Sequence, residues 1–165
     1  MTFFCMIRQS FVFLDRVGTR LEQHLWEQGV TDWHHFLAHD TIRGISDQRK
    51  GYYDRKVKEA ARALHEDNSS YFVNKLPSVE HWRLYNQFKD QAVFLDIETT
   101  GVGRYAQVTV VGMYDGTNTV IMVKDKNLDF SILKKLLAQY KLIVTFNGLS
   151  FDVPFLNKRY PNLTP

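Results

Sequence analysis

Three carboxylates in the second half of the chain could do chemistry together. Asp96 and Glu98 lie in Ala92-Val93-Phe94-Leu95-Asp96-Ile97-Glu98-Thr99-Thr100-Gly101, and Asp152 closes Asn147-Gly148-Leu149-Ser150-Phe151-Asp152. The first run is apolar and β-branched and ends in turn residues, which predicts a short strand buried on both faces. Side chains at i and i+2 of a strand leave the same face, roughly 6.6 to 6.8 Å apart along it, so Asp96 and Glu98 point the same way. Two carboxylates side by side near the C-terminal end of a sheet repel each other unless a cation sits between them. Asp152 comes after a second apolar run, Leu142-Ile143-Val144-Thr145-Phe146. A strand there, parallel to the first, places Asp152 at the same C-terminal edge, where ligands gather in open α/β sheets. Three acids at one edge suit hard divalent cations with oxygen ligands, Mg²⁺ or Mn²⁺, rather than zinc. Two such ions ~3.5 to 4 Å apart can activate water and stabilise a leaving oxygen in phosphodiester hydrolysis.

Periodicity sets the elements around these acids. Gln107 to Tyr114 is dominated by Val and Thr, and Asp115-Gly116-Thr117-Asn118 reads as a hairpin turn into a strand over Thr119 to Val123. Asp129 starts a helix with Ile132, Leu133, Leu136, Leu137 and Tyr140 on its apolar face. The run after it is reached by a helical crossover and is therefore expected to lie parallel to the first strand. The expected class is α/β: three antiparallel strands, a crossover helix and a parallel strand, preceded by a helical region. The boundary falls near Lys89-Asp90-Gln91, giving a helical region at 1–90 and the sheet at 91–165.

In the helical region, Thr19 is expected to cap a helix carrying Leu21, Leu25 and Trp26, which Gly29 ends. Thr31 is expected to cap a second helix with Trp33, Phe36 and Leu37. With the bend at Val17-Gly18-Thr19, the pair resembles a helix-hairpin-helix element with a single glycine, Gly18. That leaves two readings open, phosphate-backbone contact and plain helical packing. Ser46 to Asn68 is the longest helical pattern, with Tyr53, Val57, Ala60 and Leu64 inward. Its basic residues Arg49, Lys50, Arg55, Lys56, Lys58 and Arg62 are interleaved with acids and read as a solvated face. Ser78 is expected to cap a helix through Phe88 with Trp82, Tyr85 and Phe88 as its stripe.

Composition bounds the class. The 165 residues are 44 % hydrophobic and 14 % aromatic, which excludes a disordered chain, and no run approaches the roughly 20 apolar residues of a membrane helix. The opening Met1-Thr2-Phe3-Phe4-Cys5-Met6-Ile7 lacks a basic segment and a cleavage site, so no signal peptide is expected. A single cysteine, Cys5, excludes an intramolecular disulfide and fits a reducing cytoplasm. A net charge of +3 is too small to establish a polyanionic partner.

Asp96-Ile97-Glu98-Thr99-Thr100-Gly101 resembles the first motif of the DEDD (DnaQ-like) 3′–5′ exonucleases, and Asn147 to Pro154 resembles their second. The likeness extends to YprB-type ribonuclease H-like proteins. Its carriers outside the sheet are Leu25-Trp26, Gly29-Val30-Thr31-Asp32-Trp33, Leu76-Pro77 and Glu80-His81-Trp82-Arg83-Leu84-Tyr85. The resemblance implies a ribonuclease H-like fold and metal-dependent hydrolysis of DNA or RNA from a 3′ end. Asp96, Glu98 and Asp152 would be catalytic and would hold Mg²⁺ or Mn²⁺, two ions in the complete site. Thr99, Thr100 and Asn147 would position the terminal nucleotide, and Phe151 would contact it or pack beneath the site. The family's fourth carboxylate, on a late helix, has no counterpart here. The core is therefore expected to be C-terminally incomplete or naturally short, with hydrolysis weakened. A non-catalytic nucleic-acid-binding or regulatory module is the alternative, and an uncovered sheet edge would allow a homodimer. A phosphatase loop of the Asp-x-Asp-x-Thr kind fits less well, because the second acid is Glu and Asp152 goes unexplained.

Overall fold

The computed structural model describes residues 6–146, 148, 150–161 and 163. The chain divides into two compact units, Met1–Gln87 and Phe88–Pro165. Among the described residues no helix is long and apolar enough to cross a membrane.

The first unit is helical: α1 (Thr19–Glu27), α2 (Trp33–Ala38), α3 (Asp47–His65) and 3₁₀ turns at Ile7–Gln9, Ser69–Phe72 and Ser78–Leu84, with α4 (Tyr85–Phe88) at its end. Gly29 ends α1 as expected. Its φ of +86° is one that side chains resist, and it lets the Gly29 and Val30 N–H groups return to the Trp26 and Leu25 carbonyls, each at 3.0 Å. The caps differ from expectation. Gly18, not Thr19, precedes α1, and Asp32, not Thr31, caps α2 by accepting the His35 N–H at 2.8 Å. A carboxylate satisfies an N-terminal N–H and faces the positive end of the helix, so it displaces the neighbouring hydroxyl from the capping role. Thr31 Oγ1 instead meets His35 Nδ1 at 2.9 Å.

Trp26 and Trp33, from the first two family-like segments, are anchors. Trp26 Nε1–H donates to Gln9 O at 3.0 Å and Trp33 Nε1–H to Ser10 O at 2.7 Å, which pins the segment before α1. Beside them lies a buried ion pair. Glu22, 1 % exposed, accepts the Phe11 N–H at 2.6 Å and meets the Arg83 guanidinium at 2.9 Å, while Arg83 Nε–H donates to Glu80 at 2.6 Å. This pair overturns the expected helix over 79–88. Residues Ser78–Leu84 form a 3₁₀ turn behind Pro77, Arg83 and Leu84 point inward, and Trp82 and Tyr85 stay exposed. The threefold repeat of a 3₁₀ turn stacks Glu80 under Arg83, and the buried partner at Glu22 draws in the charged residue.

On α3 the expected apolar positions are buried. Three of its basic residues turn onto their own helix. Lys50 is buried against Asp54 at 2.6 Å, Lys56 pairs with Glu59 at 2.8 Å, and Arg49 donates to the Tyr53 hydroxyl at 2.7 Å.

The second unit is a four-stranded mixed sheet in the order β3-β2-β1-β4, with β1 (Ala92–Thr99), β2 (Val108–Tyr114), β3 (Thr119–Val123) and β4 (Leu142–Val144). β1–β2 and β2–β3 are antiparallel, and β4 joins β1 in parallel after helix α5 (Phe130–Leu137), which Asp129 caps through the Ser131 and Ile132 N–H groups. Helix α6 (Asp152–Arg159) comes last. The expected ribonuclease H-like order of three antiparallel strands, crossover helix and parallel strand is present.

Burial on β1 differs from expectation. Val93, Leu95 and Ile97 enter the core with Val111, Met113 and Met122. Phe94, Asp96 and Glu98 face the other way and are exposed. Both helices feed the same core, through Leu133 and Leu137 of α5 and Phe155 and Leu156 of α6. Strict alternation is what a sheet with one packed face requires, and the unbroken apolar run concealed it.

Candidate active site

The acids of β1 owe their placement to strand alternation and cross-strand register. Asp96 lies opposite Gly112 and Glu98 opposite Val110, on the exposed face of the sheet. Gly112 contributes no side chain, and a Cβ placed there would meet only the Asp96 carbonyl, at 3.9 Å. The surface beside the Asp96 carboxylate is therefore open. The ladder to β4 ends at Phe94–Val144, so Asp96 and Glu98 run beyond the parallel neighbour. Immediately after Glu98 the register to β2 slips, with Glu98 facing Val110 and Thr99 facing Val108. A bulge at this point bends the strand end and re-aims Thr99 and the turn beyond it.

Thr99 and Thr100 use their hydroxyls to build that turn. Thr99 Oγ1 donates to Gly101 O at 2.8 Å, and Thr100 Oγ1 accepts the Gln107 N–H at 3.0 Å, while the Thr100 N–H reaches Gln107 O at 2.9 Å. The turn is closed on itself at the edge where the acids end.

Asp152 is the first residue of α6 and 4 % exposed, and its carboxylate makes no hydrogen bond with a described residue. Gly148, two residues before the loop's exposed Ser150, sets the approach to α6. A Cβ at Gly148 would lie 1.6 Å from Thr145 Oγ1, so the chain can fold back here only without a side chain, and Gly148 O then accepts the Val153 N–H at 2.9 Å. Phe151, half-buried, packs its ring 5.3 Å from that of Phe155. Asn147, expected to position a nucleotide, lies outside the described residues.

One residue that the motifs did not single out links the two acidic segments. The Arg159 guanidinium donates to Ala106 O at 2.8 Å and Gly103 O at 3.1 Å and lies 3.5 Å over the Phe155 ring. It ties the loop after Thr100 to the helix that begins with Asp152. Only its position at the end of a helix, seven residues after an acid in a site motif, hinted at this.

The three carboxylates are oxygen donors suited to a hard divalent cation, but they do not surround a single one. Among the described residues, the trio of acid or histidine groups with ligand atoms all within 4.8 Å of one another is Asp32, His34 and His35 at the start of α2. There Asp32 is already the helix cap. Asp96 and Glu98 share a face, and Asp152 is brought to the C-terminal side of the sheet on a separate, buried footing.

No curated protein and no solved structure matches the chain. Residues 93–165, from the second residue of β1 onward, match the model of a family described as the RNase_H superfamily, in agreement with the strand order.

Proposed function

We propose that the sheet unit is a metal-dependent nuclease core of the DEDD 3′–5′ exonuclease kind, related to the YprB-type proteins, with Asp96, Glu98 and Asp152 as its catalytic carboxylates. The superfamily match supports nuclease-type hydrolysis of nucleic acid in general. The observation that carries the finer reading is the pair Asp96 and Glu98 on one exposed face, beside the side-chain-free Gly112. Two bare carboxylates there gain more from a divalent cation than from any described side chain.

Mg²⁺ or Mn²⁺, when bound, would supply charge neutralisation at the phosphodiester and a water of lowered pKa. Asp96 and Asp152 would hold it, and Glu98 would reach both the cation and the attacking water. The Thr99-Thr100-Gly101 turn, with Asn147 and Phe151, would receive the 3′-terminal nucleotide. A helix-hairpin-helix-like contact from the first unit would add backbone affinity; there Arg16, with φ of +62°, shapes the bend before Gly18.

The test is nucleotide release from 3′-labelled and 5′-labelled strands with Mg²⁺ or Mn²⁺. Release from the 3′ end first, abolished by EDTA and lowered at least ~100-fold in Asp96→Asn, is expected, since that change removes a metal ligand. Equal release by wild type and variant overturns the assignment. The separation of the three carboxylates favours a second reading, nucleic-acid binding without hydrolysis. Metal-independent strand binding with no release in either metal is its signature.

A further inference from the structure

A cleft of about 380 Å³ opens between the loop after Gly101 and helix α6. Arg104 lines it from the loop, and Ser150, Phe151, Pro154, Lys158 and Arg159 line it from the helix side. Arg104 and Arg159 are the two arginines of residues 88–165, and no lining residue is acidic. The unit has thus placed both guanidiniums, an ammonium and a half-buried ring around one opening.

The three cations do different things. Arg159 is spent on structure: its N–H groups go to two loop carbonyls and its plane lies on Phe155. Arg104 and Lys158 are exposed, and neither makes a hydrogen bond or ion pair with a described residue. A positive charge on each side of the opening, with no counter-charge in the lining, is complementary to a phosphodiester chain. The adjacent Phe151 ring offers a base a stacking face, which is how unpaired strands are held without sequence choice. The volume admits a nucleotide or so and not a duplex, whose grooves and paired backbones need a far broader surface.

We infer that this cleft binds an unpaired nucleic-acid strand, with Arg104 and Lys158 on its phosphates and Phe151 against a base. The choice of nucleic acid as the ligand rests on the nuclease reading above. Arg159 is a positioning residue that fixes the loop bearing Arg104 against α6.

The experiment is fluorescence anisotropy of a short labelled single strand titrated with the full chain in EDTA, so that binding is read without hydrolysis. Wild type is compared with the double variant Arg104→Ser/Lys158→Ser across a salt series. Losing two phosphate contacts should raise Kd at least ~10-fold at about 50 mM salt and flatten the slope of log K against log salt by about 1.4. Both residues are exposed, so the variant should keep the wild-type circular dichroism and melting midpoint. Phe151→Leu should weaken binding without altering the salt slope. An unchanged Kd and slope in the double variant, or no strand binding by wild type, overturns the inference. A wild type that binds through this cleft yet releases no nucleotide with either metal leaves the inference standing and removes the nuclease reading instead.

Discussion

At the scale of single residues, the strongest constraint in the helical unit is the buried charge pair of Glu22 and Arg83. Both are nearly sealed from water, and each satisfies a further group: Glu22 takes the Phe11 N–H, and Arg83 reaches Glu80 and the Ser10 hydroxyl at 3.0 Å. Removing one member strands the other. Arg83→Met should therefore cost about 3 to 5 kcal/mol in urea unfolding, and adding Glu22→Gln should recover part of it, because the amide still accepts from Phe11 but carries no charge. A single variant as stable as wild type would refute the pair as a structural anchor. Neither residue was legible as buried. Glu22 and Arg83 are 61 positions apart, each reads locally as a surface charge, and only the tertiary partner makes the inward orientation favourable. Asp96 and Glu98 show the converse. Their chemistry was plain from type and spacing, but their exposure was not, because Val93, Leu95 and Ile97 with Phe94 read the same whether one face or two are covered.

At the scale of elements, turns were the most readable part of the chain because they are decided locally. Asp115-Gly116-Thr117-Asn118 became the β2–β3 connection, with Gly116 at φ of +100° and the Asp115 carboxylate accepting the Asn118 and Thr117 N–H groups at 2.7 and 2.9 Å. Those N–H groups, Asn118 first and then Thr117, hold the Asp115 carboxyl well below the usual carboxylate range. The folded state consequently binds its proton at a lower pH than the unfolded chain does, whose value is near pH 3.9. The stabilisation is present above that pH and is lost as pH falls through it toward the lower folded value. Asp115→Asn keeps an acceptor for the turn but has no proton to bind. Its melting midpoint should fall less steeply than that of wild type between about pH 5 and 2.5. Parallel pH profiles would mean that the turn does not contribute to acid sensitivity. The element least readable was the stretch 78–88, where an amphipathic stripe of Trp82, Tyr85 and Phe88 was a real periodicity serving a different geometry. The order of the sheet was legible for another reason. A crossover helix between apolar runs leaves few right-handed topologies, whereas the ends of β4 and the bulge after Glu98 depend on contacts that no local pattern encodes.

At the scale of the whole molecule, the division into two units separates the spectroscopic reporters from the proposed chemistry. All three tryptophans, Trp26, Trp33 and Trp82, belong to Met1–Gln87, and all three site carboxylates belong to Phe88–Pro165. A cation that binds the folded sheet unit and not the unfolded chain stabilises that unit by mass action. At a concentration about a hundred times Kd the gain is about 2.7 kcal/mol, which for a domain of this size moves the midpoint by roughly 10 to 20 °C. Tryptophan fluorescence reports the helical unit alone, whereas far-ultraviolet circular dichroism near the sheet minimum also tracks the strands. With Mn²⁺ added, the dichroism transition assigned to the sheet should rise while the tryptophan transition stays in place. In the Asp96→Asn/Asp152→Asn variant neither should move, since the oxygen charge that recruits a hard cation has been removed. A rise of both transitions together in wild type would mean that the units unfold as one. A tryptophan transition that alone responds to Mn²⁺ would shift attention to Asp32, His34 and His35 on α2, where three ligand atoms do lie within 4.8 Å, and would place the cation away from the sheet.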